Sequence, residues 1–386
     1  MATTPPEPVS NQSAQWLRGF GLVLLATLAL SMQNVIARIA QSPTPLPILG
    51  NLLELGGYIA KDTDKLQVSL LILLLRVSIV VPLLWLVLPM VKPGAWQEAR
   101  DIIVGSDRHL KLGIITAGIF LFLSQTSIYL SISNVGPATA VTIFFIYPTV
   151  TTLLAWRLFG DRPSWLQWVA IGLIYAGCTW LTFSPPPQKP PAPSVSSVSV
   201  AKPSSNPRPI ASPSTSLSPA PSPTPSTSKT PKNAPQGNFT LGVFTAVMSG
   251  IVFAMEGIIA QSCFSKINPA TFTGMIFTVE WLALLLATIP FIQLDLNSGL
   301  ILMGGLLSLA TLSGYLFNNF GIKAIGASST AIIGSSGPAV TAILAFIILG
   351  DGLTLPKIFS IVLVTLGVVL MNWAKAYKNK QLAEEK

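Results

Sequence analysis

The sequence predicts an all-α membrane protein of ten transmembrane helices in two inverted five-helix repeats, and three observations carry that prediction. Of 386 residues, 51% are hydrophobic and only 10% charged, with a mean hydropathy of +0.63; a soluble domain has roughly a quarter of its residues charged. Apolar runs of about 20 residues, enough to cross a hydrocarbon core of about 30 Å, recur along the chain. A shift of 190 residues also lays part of the first half onto the second in register.

The first span covers 16–39. Before it, 1–15 is expected to be a disordered cytoplasmic N-terminus: Met1 to Gln15 has no Lys or Arg and no apolar core, unlike a cleavable signal peptide, so the first helix should remain as an anchor. Loop 41–66 is long, and Leu46 to Ala60 is apolar enough to lie at the interface as a short helix. Spans at 67–89, 110–133, 137–158 and 164–183 complete a first repeat, 16–183. Residues 184–236 hold half of the 32 prolines, many Ser and Thr, and almost no large apolar residues, so this stretch is expected to be a disordered tether. A second repeat, 237–374, has spans at 238–261, 269–291, 299–322, 327–349 and 355–374, followed by a cytoplasmic tail, 375–386. Runs such as Leu70 to Leu75 and Leu282 to Leu286 are apolar all round, which excludes the alternation of a transmembrane β-barrel.

The formal net charge of +9 points to orientation rather than to nucleic acid, because the basic residues sit mostly in loops. With the N-terminus inside, the inner segments hold Arg18, Lys92, Arg100, Arg108, Lys111, Arg157, Arg162, Lys266, Lys323 and the tail residues Lys375, Lys378, Lys380 and Lys386. The short outer loops hold only Arg38, Lys61, Lys65 and Lys357. That bias satisfies the positive-inside rule and puts both termini in the cytoplasm, with the protein in a plasma or inner membrane. Cys178 and Cys263 lie in apolar stretches without metal or redox spacing.

In the 190-residue register Gly136 falls on Gly326, Pro148 on Pro338, Gly160-Asp161 on Gly350-Asp351, and Gly177 on Gly367. Val150, Thr151, Leu154 and Ala155 recur as Val340, Thr341, Leu344 and Ala345. Five helices per half give the second half the opposite orientation, the inverted repeat that alternating access exploits. Gly136-Pro137-Ala138-Thr139-Ala140, then Pro148, Gly160-Asp161, Gly172 and Gly177, resembles the EamA-type repeat of the drug/metabolite transporter superfamily, and the second half repeats the pattern. Arg76 resembles the Arg often found in the second helix of such repeats, and Asn34 to Arg38 the polar end of the first. The resemblance covers nearly all of the chain outside linker and tails. It implies a carrier whose fourth and ninth helices face a central cavity. The sequence departs from the family in having Asp at 161 and 351 where Glu is commoner, Glu280 where Arg would be expected, a long first loop and a long linker.

Ionisable residues within spans cost about 2.5 to 3.5 kcal/mol each on insertion scales, so Arg76, Glu256 and Glu280 are candidates for function. Arg76 and Glu280 lie on equivalent helices and could form a structural ion pair or an ion-coupling pair. Aligning Met32-Gln33 with Met255-Glu256 sets Gln33 opposite Glu256; a carboxyl held away from water favours its neutral form, so Glu256 is either a proton or cation site or a packed polar residue. Pro148 and Pro338, within helices four and nine, should free backbone groups that line a cavity. Gly334-Ser335-Ser336-Gly337 would supply a small polar wall and Phe144-Phe145-Ile146-Tyr147 an aromatic one, unless the small residues serve only close packing. Helix three adds Gln125 and Tyr129, and helix eight Tyr315, Asn318 and Asn319, spaced to share a polar face; interhelical hydrogen bonding is the alternative. The expected cavity set is therefore Gln33, Asn34, Gln125, Tyr129, Tyr147, Pro148, Tyr315, Asn318, Asn319, Ser335, Ser336 and Pro338. Asp161 and Asp351 are read as caps.

No GxxxxGK[ST] motif is present for an ATP-driven pump, and no HExxH or Ser-His-acid set for a membrane enzyme; the single histidine, His109, lies in a loop. No cofactor, metal or nucleic-acid partner is expected. The partners are the lipid bilayer and a small-molecule substrate: an amino acid or similar amphipathic metabolite, or alternatively a cationic drug. A receptor or scaffold role is favoured only by the tether. Few Lys or Arg in the expected cavity argue against phosphorylated sugars.

Overall fold

The computed structural model describes residues 9–41, 44–45, 54–55, 65–135, 140, 143–160, 163–183, 239–288, 298–349 and 355–384. Hydrocarbon offers no partner for an unpaired N–H or C=O, so the chain satisfies its backbone within helices. These are α1 (Val9–Gln41), α2 (Lys65–Val91), α3 (Ala95–Val104), α4 (Arg108–Val135), α5 (Tyr147–Phe159), α6 (Trp165–Phe183), α7 (Phe239–Cys263), α8 (Pro269–Thr288), α9 (Ser298–Ile325), α10 (Ala327–Gly334), α11 (Gly337–Leu349) and α12 (Leu355–Glu384). Six stretches among the described residues are long and apolar enough to cross a membrane: Ala14–Ile36, Leu73–Val91, Arg108–Ser131, Phe239–Cys263, Pro269–Thr288 and Ala327–Ile348. Trp165–Gly177 and Ile358–Met371 are shorter apolar stretches at the expected fifth and tenth spans.

Several expectations are corrected. Helix α1 begins at Val9, so 9–15 are helical rather than disordered, and α12 runs to Glu384, through most of the expected tail. Glu54–Leu55 (β2), inside the stretch expected as an interfacial helix, pairs antiparallel with Thr44–Pro45 (β1). The rest of that stretch, the 184–236 tether, Asp161, Asp351 and the Gly136–Thr139 segment lie outside the described residues. Helix α3 was not anticipated; its ten residues are too few to register as a span.

The expected helices four and nine are broken, and at equivalent points. The backbone turns at Phe145-Ile146 and again at Ser335-Ser336, before α5 and α11 begin. Ile146 N donates to Ile143 O at 3.1 Å, and Ser336 N to Ile333 O at 3.1 Å. Val150 N donates to Ile146 O at 3.2 Å, and Val340 N to Ser336 O at 3.1 Å. Every donor and acceptor is 190 residues from its counterpart. Pro148 and Pro338 are therefore not helix-interior prolines: each is the second residue of a new helix, where a missing N–H costs nothing.

Helices are joined through small residues. α4 and α7 approach closely enough for Ser124 Oγ to donate to Ser249 O at 3.0 Å and Ser249 Oγ to Ser124 O at 2.8 Å. α1 lies along α9, with Val23 and Leu30 seated over Gly321 and Gly314. The α6/α12 crossing is reciprocal. A Cβ on Gly177 would sit 2.9 Å from Ser360 O and 2.7 Å from Val364 Cγ2, and one on Gly367 would sit 2.9 Å from Ala170 O and 2.7 Å from Ile174 Cγ1. Ala170 and Ser360, like Ile174 and Val364, are 190 residues apart, so the two helices cross antiparallel with matched residues in matched places. With lipid outside and lipid-like side chains inside, such close backbone approach supplies much of the association energy.

At one end of the bundle α3 clamps the start of α8. Ala95 and Ala99 are buried, and between them Glu98 accepts hydrogen bonds from Lys92 Nζ, from Asn268 N at 3.0 Å and from Thr271 Oγ1 at 2.6 Å. Nearby, Lys266 Nζ donates to Asp107 Oδ2 at 2.7 Å. Both contacts tie residues before the tether to residues after it.

Two outcomes are expected. Gly177→Leu or Gly367→Leu forces α6 and α12 apart and lowers stability by about 1 to 3 kcal/mol, read as an earlier thermal unfolding midpoint in detergent; Gly172→Leu, where nothing lies within 4 Å of the added Cβ, serves as the control and leaves the midpoint in place. Partial burial pushes the Glu98 carboxyl up, but the hydrogen bonds from Lys92, Thr271 and Asn268 outweigh it and hold the group below its usual 4.5. A lowered value in the folded state means that its contribution is complete above about 4.5 and is lost as pH falls through the folded value. Glu98→Gln should therefore unfold more easily than wild type at pH 7, by on the order of 1 kcal/mol, and the two melting curves should converge in acid.

Candidate functional site

Three ionisable side chains are sealed inside the helical bundle. Arg76 on α2 is 1% exposed, Glu280 on α8 0% and Glu256 on α7 2%. Helical spacing puts them there. On α8, Thr273, Phe277 and Glu280 fall on one face at i, i+4 and i+7; on α9, Ser308, Thr311, Tyr315 and Asn319 do the same. The two faces meet: Asn319 Nδ2 donates to Thr273 Oγ1 at 2.8 Å, and the rings of Phe277 and Tyr315 stand edge to face with centroids 5.0 Å apart. Ser308 Oγ donates to the backbone Arg76 O at 2.9 Å, fixing α2 against α9 at this residue. From α4, Gln125 Nε2 donates to Tyr315 Oη at 2.9 Å.

The charges themselves are left unmatched. Arg76 Nε and Nη2, both oxygens of Glu280 and Oε1 of Glu256 are buried with no hydrogen-bond partner. The Arg76 and Glu280 charges are within electrostatic range of each other, as are those of Glu280 and Glu256, and Tyr315 senses all three. The expected Arg76–Glu280 pair is therefore an electrostatic neighbour relation across α2 and α8, without the hydrogen bonds that would make it a structural clip. A buried charge without partners is costly to hold, and groups so placed are the usual material of binding and ion-coupling sites in membranes.

The other expected cavity residues divide. Tyr315, Asn319 and Gln125 belong to this cluster, and Tyr129 packs against the same core; Asn319 Oδ1 is also unpartnered. Gln33 is half-buried and tied to α9, accepting from Thr311 Oγ1 at 2.7 Å. Asn34 is exposed and Asn318 half-buried, and neither has a contact that brings it to the cluster. The two expected walls do not face each other across a space. Tyr147 packs directly onto Gly334, whose Cβ would lie 3.4 Å from the hydroxyl, and donates to Ala331 O at 3.2 Å. Ser335 and Ser336 turn their hydroxyls back onto Ile332 O at 2.6 Å and Ile333 O at 2.8 Å. Between the breaks remains a void of about 10 Å³ lined by Phe145, Pro148, Ile171, Ile174, Tyr175 and Ser335, about one water in size. Pro338 is half-buried at the start of α11. Ser31 Oγ from α1 donates to Gly337 O at 3.0 Å, occupying a carbonyl beside the break.

Thr273, Phe277 and Ser308 escape sequence reasoning because a lone Thr, Phe or Ser in a span is ordinary; only their coincidence with Glu280 and Tyr315 on opposed faces marks them. Thr126, with an unpartnered buried hydroxyl next to Gln125, is missed for the same reason. Among the described residues no three His, Cys, Asp or Glu side chains gather as a metal centre requires.

Comparison with known proteins follows the same lines. The EamA-like transporter family matches residues 57–183 and 240–373, both sides of the tether. An uncharacterized transporter, sll1319, of Synechocystis sp. is 34% identical over 362 residues, 93% of this chain and 94% of that one. The multidrug resistance protein EbrB of Bacillus subtilis is 39% identical over 67 residues, which is 17% of this chain and 57% of EbrB. A solved crystal structure superposes with a TM-score of 0.56 at 12% identity, over 93% of this chain and 96% of that one, and speaks for the fold alone.

Tyr315→Phe strands the half-buried Gln125 amide and should cost about 1 kcal/mol of stability. The combination with Gln125→Leu should recover most of that loss, because the donor and its acceptor are then removed together; equal or greater loss in the double variant would show that the bond does not join α4 to α9.

Proposed function

The chain belongs to the EamA-like transporter family, and we propose that it is a secondary active carrier exporting a small amphipathic metabolite, such as an amino acid, by alternating access with proton coupling at Glu256. In this reading ten crossings form two inverted five-helix halves, both termini are cytoplasmic, and the membrane is the plasma or inner membrane. The matched hydrogen bonds at the two helix breaks and the reciprocal glycines of α6 and α12 support the inverted arrangement: two halves that repeat each other in register can exchange conformations at little cost. The observation that carries the functional reading is the sealed cluster of Arg76, Glu280 and Glu256. It draws on α2 from one half and on α7 and α8 from the other, so any relative movement of the halves changes its solvation.

Glu256 suits proton transfer because the charge acting on it is that of Glu280, not that of Arg76, and because it has an oxygen with no partner. Gln125, Tyr315, Asn319 and Thr273 form the polar lining, and Phe277 with Tyr315 an aromatic surface against which an apolar part can rest. The alternative, export of cationic drugs, is favoured by two carboxylates against a single guanidinium and by the short match to EbrB.

Reconstituted protein should move solute in response to a proton gradient, and Glu256→Gln, which preserves shape, should reduce that flux at least tenfold while the protein remains folded. Full gradient-driven flux in the Gln variant would remove Glu256 from the coupling role.

A further inference from the structure

Helix α3 presents three different faces. Ala95, Ala99 and Ile102, at i, i+4 and i+7, pack inward. One residue further on, and so about 100° round the helix, Trp96, Arg100 and Ile103 repeat the spacing on an outer face bordered by Val104. Trp96 is 57% exposed, Ile103 64% and Val104 77%. Another residue on, Gln97 and Asp101 stand beside Glu98 over an open groove of about 600 Å³, which Asp107 and Lys266 also line. The acids at this end of the bundle, Glu98, Asp101 and Asp107, therefore gather on the groove side, while Arg100 stands among the apolar side chains of the outer face and Arg108 begins α4 just beyond it. Lys92 is held by Glu98 and Lys266 by Asp107, whereas neither Arg100 nor Arg108 has an ion-pair partner among the described residues.

Large apolar side chains on a surface are costly in water but not against a bilayer. α3 sits between two spans: the apolar stretch of α2 ends at Val91, just before α3 begins at Ala95, and that of α4 begins at Arg108, just after α3 ends at Val104. Its outer face continues the exposed apolar side of α2. The rings of Trp96 and Trp85 have centroids 4.9 Å apart, and Leu86 and Met90, beyond Trp85 on α2, are exposed. A Trp at the end of a span, with aliphatic side chains and an interspersed Arg, is the composition that holds a helix in the headgroup layer. We propose that α3 is a lipid-docking helix, with Trp96, Ile103 and Val104 seated in the interfacial layer and Arg100 and Arg108 bound to the phosphates of anionic phospholipid. In this seating the guanidiniums lie at the level of the phosphates, and the carboxylates of the groove turn to water, away from like charge. A zwitterionic headgroup brings its own cation to the phosphate; an anionic phospholipid leaves the phosphate to the arginines. The clamp on α8 is carried by the same ten-residue helix, so lipid that seats α3 also steadies Glu98 against Asn268 and Thr271. The docking face stands apart from the carrier reading; in the orientation proposed above it meets the inner leaflet.

The seating is read with full-length protein carrying Cys178→Ser and Cys263→Ser, labelled with an environment-sensitive fluorophore at either Ile103→Cys or Asp101→Cys, in vesicles of phosphatidylcholine and phosphatidylglycerol. Lipid with a nitroxide near its headgroup should quench the label on the outer face at least threefold more than the one on the groove side, and aqueous iodide should give the opposite order. Equal quenching at the two positions, or the reverse order, overturns the docking face. The charge is read without labels, from thermal unfolding. Adding phosphatidylglycerol to phosphatidylcholine should raise the midpoint of the wild type by several degrees. Arg100→Gln combined with Arg108→Gln should lose at least half of that rise while keeping the midpoint found in phosphatidylcholine alone. No rise in the wild type, a full rise in the double variant, or an equal rise from inorganic phosphate in phosphatidylcholine vesicles, which would assign the arginines to a soluble anion, each overturns the anionic-lipid site.

Discussion

Hydrocarbon supplies no hydrogen bonds, and this structure is organised by that single constraint. It drives the backbone into helices, it makes association depend on how closely helix axes can approach, and it makes every polar atom left over inside the bundle expensive. Gly177 against Ser360 and Gly367 against Ala170 answer the second requirement. Hydroxyls such as Ser124, Ser249 and Ser308 answer the third by bonding to backbone carbonyls of the neighbouring helix. Among the buried polar atoms of the described residues that have no hydrogen-bond partner, those of Arg76, Glu280 and Glu256 are the ones on ionisable groups, where the cost is greatest.

The contacts of α3 show how the ends of the bundle share in this. Glu98 joins the first half to the N-terminus of α8, and Asp107 joins it to Lys266, in a region where water is available and ion pairs are cheap to break. Close packing through small residues holds the α1/α9, α4/α7 and α6/α12 pairs, while more exposed polar contacts join the loops at one end. A carrier that must open one side at a time has use for that difference.

The helical membrane class was legible because a membrane simplifies the code: apolar runs marked the six stretches long enough to cross it among the described residues, and prolines and glycines marked the 190-residue correspondence seen at the two helix breaks and the α6/α12 crossing. Pro148 and Pro338 marked the right places for the wrong reason, since a proline in the first turn of a new helix and one inside a kinked helix leave the same trace in a hydrophobic run. Helix α3 was hidden by its brevity and by a pattern, Ala95, Glu98, Ala99 and Ile102 inward, that only a neighbour can explain. The ionisable members of the site were visible as anomalies of composition. The approach of Arg76 to Glu280 was foreseeable from their equivalent helices, but not the addition of Glu256, because a single sequence does not state that α7 turns it toward them. Asn318 was chosen by its spacing on a polar helix face and Asn34 by the resemblance of the first helix's polar end; the structure leaves Asn34 exposed and Asn318 half-buried.

The central claim is that the cluster, closed in this structure, opens to water on alternate sides. With both native cysteines replaced by Ser and Gln125→Cys introduced next to Tyr315, a membrane-impermeant thiol reagent can be applied to proteoliposomes from either side. The account predicts labelling from both sides and slower labelling while transported solute is bound. A thiol that reacts from neither side, or from one side only under all conditions, while solute flux continues, would contradict it.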